Sequence, residues 1–212
     1  HDFPGIGKRV MLLNANQIYQ ESDSRHLILL AIEDITERKK LEDKLNDLAS
    51  HDELTGCLNF RSLMELLENE IARAKRYQRK FSIIMIDIDH FKRINDRYGH
   101  QVGNDALVAF TNVVKNSVRS MDIIGRYGGD EFIIVLPETD AQHALVALER
   151  IRNNLKQAKI TSPHFKKEKE PLKFSAGIAS FPSNAKDLKE LISVSDSAML
   201  EAKQEGKSQS KN

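Results

Sequence analysis

The sequence predicts an α/β protein of the α+β kind: a central mixed, largely antiparallel sheet flanked by helices, preceded by a small β-hairpin and a helical linker. Three observations carry this expectation. Two apolar runs rich in β-branched residues, Phe81–Asp89 (FSIIMIDID) and Phe132–Leu136 (FIIVL), read as buried strands. Around them lie stretches whose apolar residues recur at helical spacing. Between the runs, Gly128 and Gly129 read as the tight turn of a central hairpin, because both can take φ > 0. Helices alternating with strands around one hairpin imply a sheet with helices packed on it.

At the N-terminus, Arg9–Asn14 and His26–Glu33 are strand-like runs around a polar turn at Glu21–Ser24. A hairpin this small cannot bury a core alone. Thr36–Ser50 is highly charged, with Leu41, Leu45 and Leu48 at 4-then-3 spacing. That pattern suits a short coiled-coil seam or an amphipathic helix packed on its own domain. His51–Arg61 reads as a turn in which Asp52 and Thr55 are structural and Asn59 caps the next helix. Leu63, Leu66, Leu67, Ile71 and Ala74 form that helix's inner face.

After the first core strand, His90–Asp96 reads as a short helical turn and Tyr98–Gly103 as a loop with two glycines. Asn104–Val118 is a helix with Leu107, Phe110 and Val114 on one face. Asp122–Tyr127 and Phe132–Leu136 are the hairpin strands, the second stopped by Pro137. Asp140–Ala158 is a helix with Leu148, Ile151 and Leu155 inward, and Thr161–Pro171 a basic loop. Leu172–Ser180 reads as a strand and Asp187–Gly206 as the last helix, with Gly206 at its C′ position.

The 212 residues suit one domain plus an appendage. A net charge of +1 gives no argument for a nucleic acid polymer or an anionic membrane surface. The longest apolar run, Leu27–Ile32, is too short to span a bilayer, so no membrane contact is expected from this piece. Cys57 is the single cysteine, which excludes an internal disulfide and fits a reducing, cytoplasmic compartment. The opening residues read as mid-domain sequence, so a longer parent is expected, with room for a membrane anchor elsewhere.

The chemistry lies at the ends of the two core runs. The first ends in Asp87 and Asp89; the second is preceded by Asp130 and Glu131. If two strands of one sheet bring such acids together, one must take a proton unless a cation sits among them. Oxygen-only ligands suit Mg²⁺ or Mn²⁺, the usual partners of phosphates in nucleotide chemistry. A solvated acidic hairpin is the bland alternative for this stretch alone.

GGDEF at 128–132, DIDHFKRINDRYGHQVGND at 87–105 and HDELTGCLNFR at 51–61 agree in order and spacing with one family. From about Asp47 to Gly206 the chain resembles the GGDEF diguanylate cyclases, which implies a nucleotidyl-cyclase, polymerase-palm-like fold. HLILLAIEDITERKK resembles the last strand and exit of a PAS sensor domain. The domains expected are therefore a PAS-like remnant at 1–34, a linker at 35–50 that would act as a dimer stalk, and a catalytic domain at 51–212.

The resemblance implies condensation of two GTP into cyclic di-GMP with release of two pyrophosphates, by a homodimer. It implies metal ligation by the Asp87 carboxylate, the Ile88 carbonyl, Asp130 and Glu131, with Asp130 also a candidate general base. How Asp130 and Glu131 divide these roles stays open, and Asp89 is expected to be a structural acceptor. Phe91 and Lys92 would lie against the phosphates beside Gly128 and Gly129. Asn95, His100 and Asn104 would contact guanine and ribose, and Lys203 and Lys207 the phosphates. Arg119 and Asp122 stand at the spacing of the family's inhibitory, product-binding site, with Arg150 a secondary contact from a partner domain. The chain departs from the pattern at Asn104 (usually Asp), Leu200 (Tyr), Lys207 (Arg), Ser208 (Asn), Cys57 (Leu) and Phe60 (Arg). Asn104, Leu200 and Lys207 motivate one alternative, a catalytically weak module that binds GTP or cyclic di-GMP and regulates a partner; Asn104 motivates a second, a cyclase for adenylate or mixed dinucleotides, while Cys57 and Phe60 are tolerable changes.

Overall fold

The structure, a computed structural model, describes residues 2–5, 7–19, 26–158 and 172–209, with side chains described except at 2–3, 17–19, 26–27, 42–48 and 206–209. The expected turn at 21–24, the loop at 161–171 and the side chains of Leu45, Leu48, Lys207 and Ser208 lie outside the described residues. The chain divides into two compact units, His1–Ala49 and Ser50–Asn212.

In the first unit β1 (Asp2–Phe3) pairs with β2 (Gly7–Lys8). The longer strands β3 (Met11–Tyr19) and β4 (His26–Asp34) form an antiparallel ladder from Met11↔Asp34 to Tyr19↔His26. β3 runs past the expected Asn14 because the apolar β4 offers a full-length partner; pairing overrides the low strand preference of Asn14, Asn16 and Gln17. The Asp34 carboxylate accepts from both the backbone N–H and the hydroxyl of Thr36, and the Val10 N–H donates to Thr36 Oγ1 at 2.9 Å. These bonds fix the exit from β4 into α1 (Thr36–Ser50), where Leu41 is exposed.

The second unit is built on β5 (Phe81–Ile88), buried along its whole length. It lies in a four-stranded sheet of order β6-β7-β5-β8, with β6 at Ile123–Arg126, β7 at Glu131–Pro137 and β8 at Phe174–Phe181. Among the described residues every pairing in this sheet is antiparallel, in keeping with the mixed, largely antiparallel sheet expected, and a parallel contact occurs as the isolated bridge Leu58↔Gly125. Helices cover both faces, which is why β5 and β7 read as continuous apolar runs rather than alternating ones.

On one face Ile83, Met85, Ile133 and Val135 pack with Leu63, Leu67 and Ile71 of α2 (Phe60–Tyr77) and Leu191 of α6 (Leu188–Gln209). On the other, Ile84, Ile86, Phe132 and Ile134 pack with Phe110 of α4 (His100–Ser117) and Ile151 of α5 (Ala141–Gln157). Fully burying a side chain of this kind contributes about 1.5–3 kcal/mol relative to exposure. Asn59 caps α2 by accepting from Ser62 N–H at 3.0 Å, and Asp140 caps α5 by accepting from His143 N–H at 3.0 Å.

Two glycine expectations need correction. The loop expected at Tyr98–Gly103 shrinks to Gly99, because α3 (Phe91–Tyr98) runs on and α4 starts at His100. Gly103 lies inside α4, where a Cβ would fall 1.9 Å from Asn95 Oδ1 on α3; the glycine serves close helix contact, not a turn. Gly206 is likewise inside α6, which continues to Gln209, so it is not the C′ residue.

Candidate functional site

The sheet register builds the acidic cluster. Asp87, next to last in β5, stands opposite Glu131, the first residue of β7. The Ile88 N–H donates to the Asp130 carbonyl at 3.2 Å. Three carboxylates thus converge on one end of the sheet, and Asp87 is only 8% exposed. Burial first, and then the charge of Asp87, raises the Asp130 carboxyl above the ordinary carboxylate range. Glu131 is raised in the same way, by burial first and then by Asp87 and Asp130.

Lys203 of α6 donates to Asp87 Oδ1 at 2.7 Å. Burial works against its charge, but the hydrogen bond and charge of Asp87 outweigh it, and its pKa is raised. Asp89 accepts from Ser175 Oγ at 2.8 Å, and its N–H donates to the Lys173 carbonyl at 2.9 Å. It therefore ties the end of β5 to the start of β8.

The glycine turn differs from the expected tight hairpin. Arg126↔Phe132 is the last strand pair, and the N–H groups of Tyr127 (2.8 Å) and Gly128 (3.2 Å) both donate to the Glu131 carbonyl. Neither Gly128 nor Gly129 is among the positive-φ glycines. Left-handed backbone therefore does not account for them. A Cβ on Gly128 would stand 2.6 Å from Glu131 Oε2, and a Cβ on Gly129 would meet nothing within 4 Å. The outer side of the turn is open to close approach by a ligand.

His90, between β5 and α3, has φ 58° and makes no side-chain cap. Such left-handed strain in a non-glycine residue costs about 1–3 kcal/mol and collects at functional sites. It sharpens the turn that carries Phe91, half-buried against the core, and Lys92, which is exposed. Asn95 is half-buried, with its amide against Gly103 of α4. Asn104, the next residue of α4, is also half-buried, and His100 is exposed at the start of α4.

Arg119 and Asp122 form a closed turn after α4. The Arg119 N–H donates to Asp122 Oδ2 at 2.7 Å and the Asp122 N–H to the Arg119 carbonyl at 3.1 Å. The Arg119 side chain is exposed beside a groove of about 410 Å³ lined also by Lys115, Val118, Asp122 and Ile123. Arg150 Nε donates to the Ser117 carbonyl, so all three expected inhibitory residues gather at the C-terminal end of α4. Three contacts do not show in the sequence: Lys203 with Asp87, and Arg126 with both the glycine turn and Asp52. The position of Arg126 directly before the turn was the available signal.

Residues 49–209 match the model of the diguanylate cyclase GGDEF domain. The chain belongs to the GGDEF diguanylate cyclase family. Diguanylate cyclase DosC of Escherichia coli is 34% identical over 212 residues, 97% of this chain and 45% of DosC. This chain therefore spans less than half the length of that relative. Among solved structures, diguanylate cyclase SiaD of Pseudomonas aeruginosa, in complex with its activator SiaC, matches with TM-score 0.71 at 30% identity, over 80% of this chain and 64% of that one. The GGDEF domain of DgcB from Caulobacter crescentus, in complex with c-di-GMP, matches with TM-score 0.70 at 25% identity, over 74% and 92%.

The donor set can be tested against the divalent cation that this family uses. Among the described residues no three His, Cys, Asp or Glu side chains form a ready-made cage. The chemistry nonetheless fits: the cluster is oxygen-only, and the charge of Asp87 helps to raise both Asp130 and Glu131, a repulsion that a hard cation relieves. No helix among the described residues is long and apolar enough to cross a membrane.

Proposed function

We propose that residues 51–212 condense two GTP into cyclic di-GMP and two pyrophosphates. The carrying observation is the register that sets Asp87 opposite Glu131, with the Asp130 peptide bonded to Ile88, beside an open glycine turn. In each half-reaction the 3′-hydroxyl of one GTP attacks the α-phosphorus of the other. A new P–O bond forms, the bond to pyrophosphate breaks, and the hydroxyl proton passes to a carboxylate. Repeating the step from the second GTP closes the ring. Each domain holds one GTP, so two chains must face each other, and catalysis is chiefly positioning and charge neutralisation.

Asp87, Asp130, Glu131 and the Ile88 carbonyl would hold Mg²⁺ or Mn²⁺. The bound metal supplies charge neutralisation at the phosphates and lowers the pKa of the attacking hydroxyl. Asp130 or Glu131 would receive the proton, as a carboxylate at the reacting hydroxyl. Lys92 places a compact cation near the phosphates, and Lys203 joins it by exchanging Asp87 for a phosphate oxygen. Asn95 and Asn104 read the guanine edge, with His100 at the ribose; an amide at 104 accepts once where a carboxylate would accept twice. Product binds Arg119 and Asp122, with Arg150 of a second domain, and slows turnover. Residues 1–34 end a PAS-like sensor that reports through α1, in the cytoplasm where GTP is available.

Asn104 also supports a second reading, a module that binds nucleotide without turnover. Asp130→Ala separates them: loss of cyclic di-GMP synthesis with an unchanged melting temperature supports the cyclase, and unchanged synthesis removes Asp130 from the chemistry.

A further inference from the structure

Arg126 has a role that neither the acids nor the glycines supply. Its guanidinium is mostly buried, with a side chain 17% exposed, against an Asp52 side chain 22% exposed. Nη1 donates to both Asp52 oxygens, at 3.0 and 2.9 Å. Nε donates to the Gly128 carbonyl at 3.2 Å and the Gly129 carbonyl at 3.1 Å, and Nη2 donates to the Gly129 carbonyl at 2.6 Å. All three nitrogens are therefore engaged, one side on a carboxylate and the other on two consecutive peptides.

Asp52 is itself held in place. Its Oδ1 accepts from Thr55 N–H at 2.9 Å and Thr55 Oγ1 at 2.6 Å. The segment that follows is zipped to β6: Leu58 N–H donates to the Ile124 carbonyl at 3.0 Å, and Arg126 N–H to the Leu58 carbonyl at 2.7 Å. Past it, the Phe60 ring packs on Tyr127 with centroids 5.3 Å apart. Residues 52–60 thus form a strap beside the hairpin, and Arg126 is the clamp between strap and turn.

We propose that Arg126 is a positioning residue for Asp130 and Glu131. The two carbonyls it grips belong to the peptides immediately before Asp130, and the Gly129 carbonyl is part of the peptide that carries the Asp130 N–H. Fixing them fixes where the acid pair leaves the turn. The open surroundings of Gly129 offer no packing to do this instead. Only a planar fork reaches a carboxylate and two carbonyls at once; a lysine ammonium at this position keeps the charge and loses the fork. Because Asp52 lies two residues past the end of α1, the clamp also joins the start of the catalytic unit to the turn. The proposal rests on the cyclase reading for its activity arm and on the proposed metal site for its Mn²⁺ arm.

The test compares wild type, Arg126→Lys and Asp52→Asn in three measurements: melting temperature, steady-state kinetics with GTP, and Mn²⁺ affinity by electron paramagnetic resonance without nucleotide. Arg126→Lys is expected to melt within a few degrees of wild type, with kcat lower by about 10- to 100-fold and KM for GTP changed by less than about threefold, the signature of a misplaced group. Its Mn²⁺ affinity should fall by about tenfold, since displaced ligands bind a metal less well. Asp52→Asn, which keeps the carbonyl contacts and loses the anchoring charge, should show a smaller loss in the same direction and serves if the lysine variant fails to fold. Variants with wild-type kcat, or with wild-type Mn²⁺ affinity, overturn the proposal. If the wild type itself makes no cyclic di-GMP, the cyclase reading fails separately, and the Mn²⁺ comparison still decides the role of Arg126.

Discussion

Gly177→Ala is a sharp test of how α6 is placed. Gly177 lies in β8, and a Cβ built there would stand 2.0 Å from the Ser195 carbonyl oxygen and 2.4 Å from the Met199 nitrogen, both α6 backbone. Backbone cannot rotate away as a side chain can. Restoring ordinary contact, which begins at 3.4 Å, requires α6 to retreat by about 1.4 Å. Overpacking of this kind costs about 2–4 kcal/mol. For a domain of this size that lowers the melting temperature by about 5–15 °C. A retreat of that size also breaks the 2.7 Å bond from Lys203 to Asp87. The assay is urea unfolding of both proteins, together with the amine chemical shift of Lys203. A lower midpoint at unchanged slope, with the Lys203 signal moved toward a solvated lysine, is expected. Equal midpoints and an unmoved Lys203 signal would refute the reasoning that α6 is seated by this glycine.

Three further outcomes follow from the charges. Because Asp87 helps to raise both Asp130 and Glu131, Asp87→Asn should lower the titration midpoints of the two carboxyls by carbon NMR of metal-free protein; unmoved or higher midpoints contradict the coupling. Burial pushes the Asp52 carboxyl up, but its bonds from Thr55 and Arg126 outweigh this and hold it below the ordinary 3.8. A lowered acid stabilises the fold above its unfolded pKa and loses that contribution as pH falls through the folded value. The stability gap between wild type and Asp52→Asn should therefore be full at neutral pH and shrink below pH 3.8, and a gap independent of pH contradicts it. Arg119→Ala should weaken inhibition by added cyclic di-GMP by about tenfold or more while synthesis continues, as expected for loss of a charged guanine contact; an unchanged inhibition curve removes the α4 end from regulation.

Much of the fold was legible because burial on both faces leaves its mark on composition. β5 reads as one apolar run, and the inner faces of α2 and α5 show at Leu63, Leu67, Ile71, Leu148, Ile151 and Leu155. The gathering of the acids at one end of the sheet was legible because they flank such runs. What failed depended on tertiary contact. Gly103 resembles a loop residue until Asn95 of the neighbouring helix is seen against it. The turn at Gly128 and Gly129 is shaped by Glu131 and Arg126 rather than by glycine's left-handed conformations. The partner of Arg126 is 74 residues away and that of Lys203 is 116, distances over which spacing carries no signal.

Product analysis gives the plainest test of synthesis. The protein, stripped of bound nucleotide and held at high concentration to favour pairing, is incubated with GTP and Mg²⁺, and the nucleotides are resolved by chromatography. Cyclic di-GMP with two pyrophosphates per molecule, absent with Asp130→Ala, is the predicted result. GTP left unconverted, even by an enforced dimer carrying Arg119→Ala, would contradict the cyclase reading and leave a nucleotide-binding module.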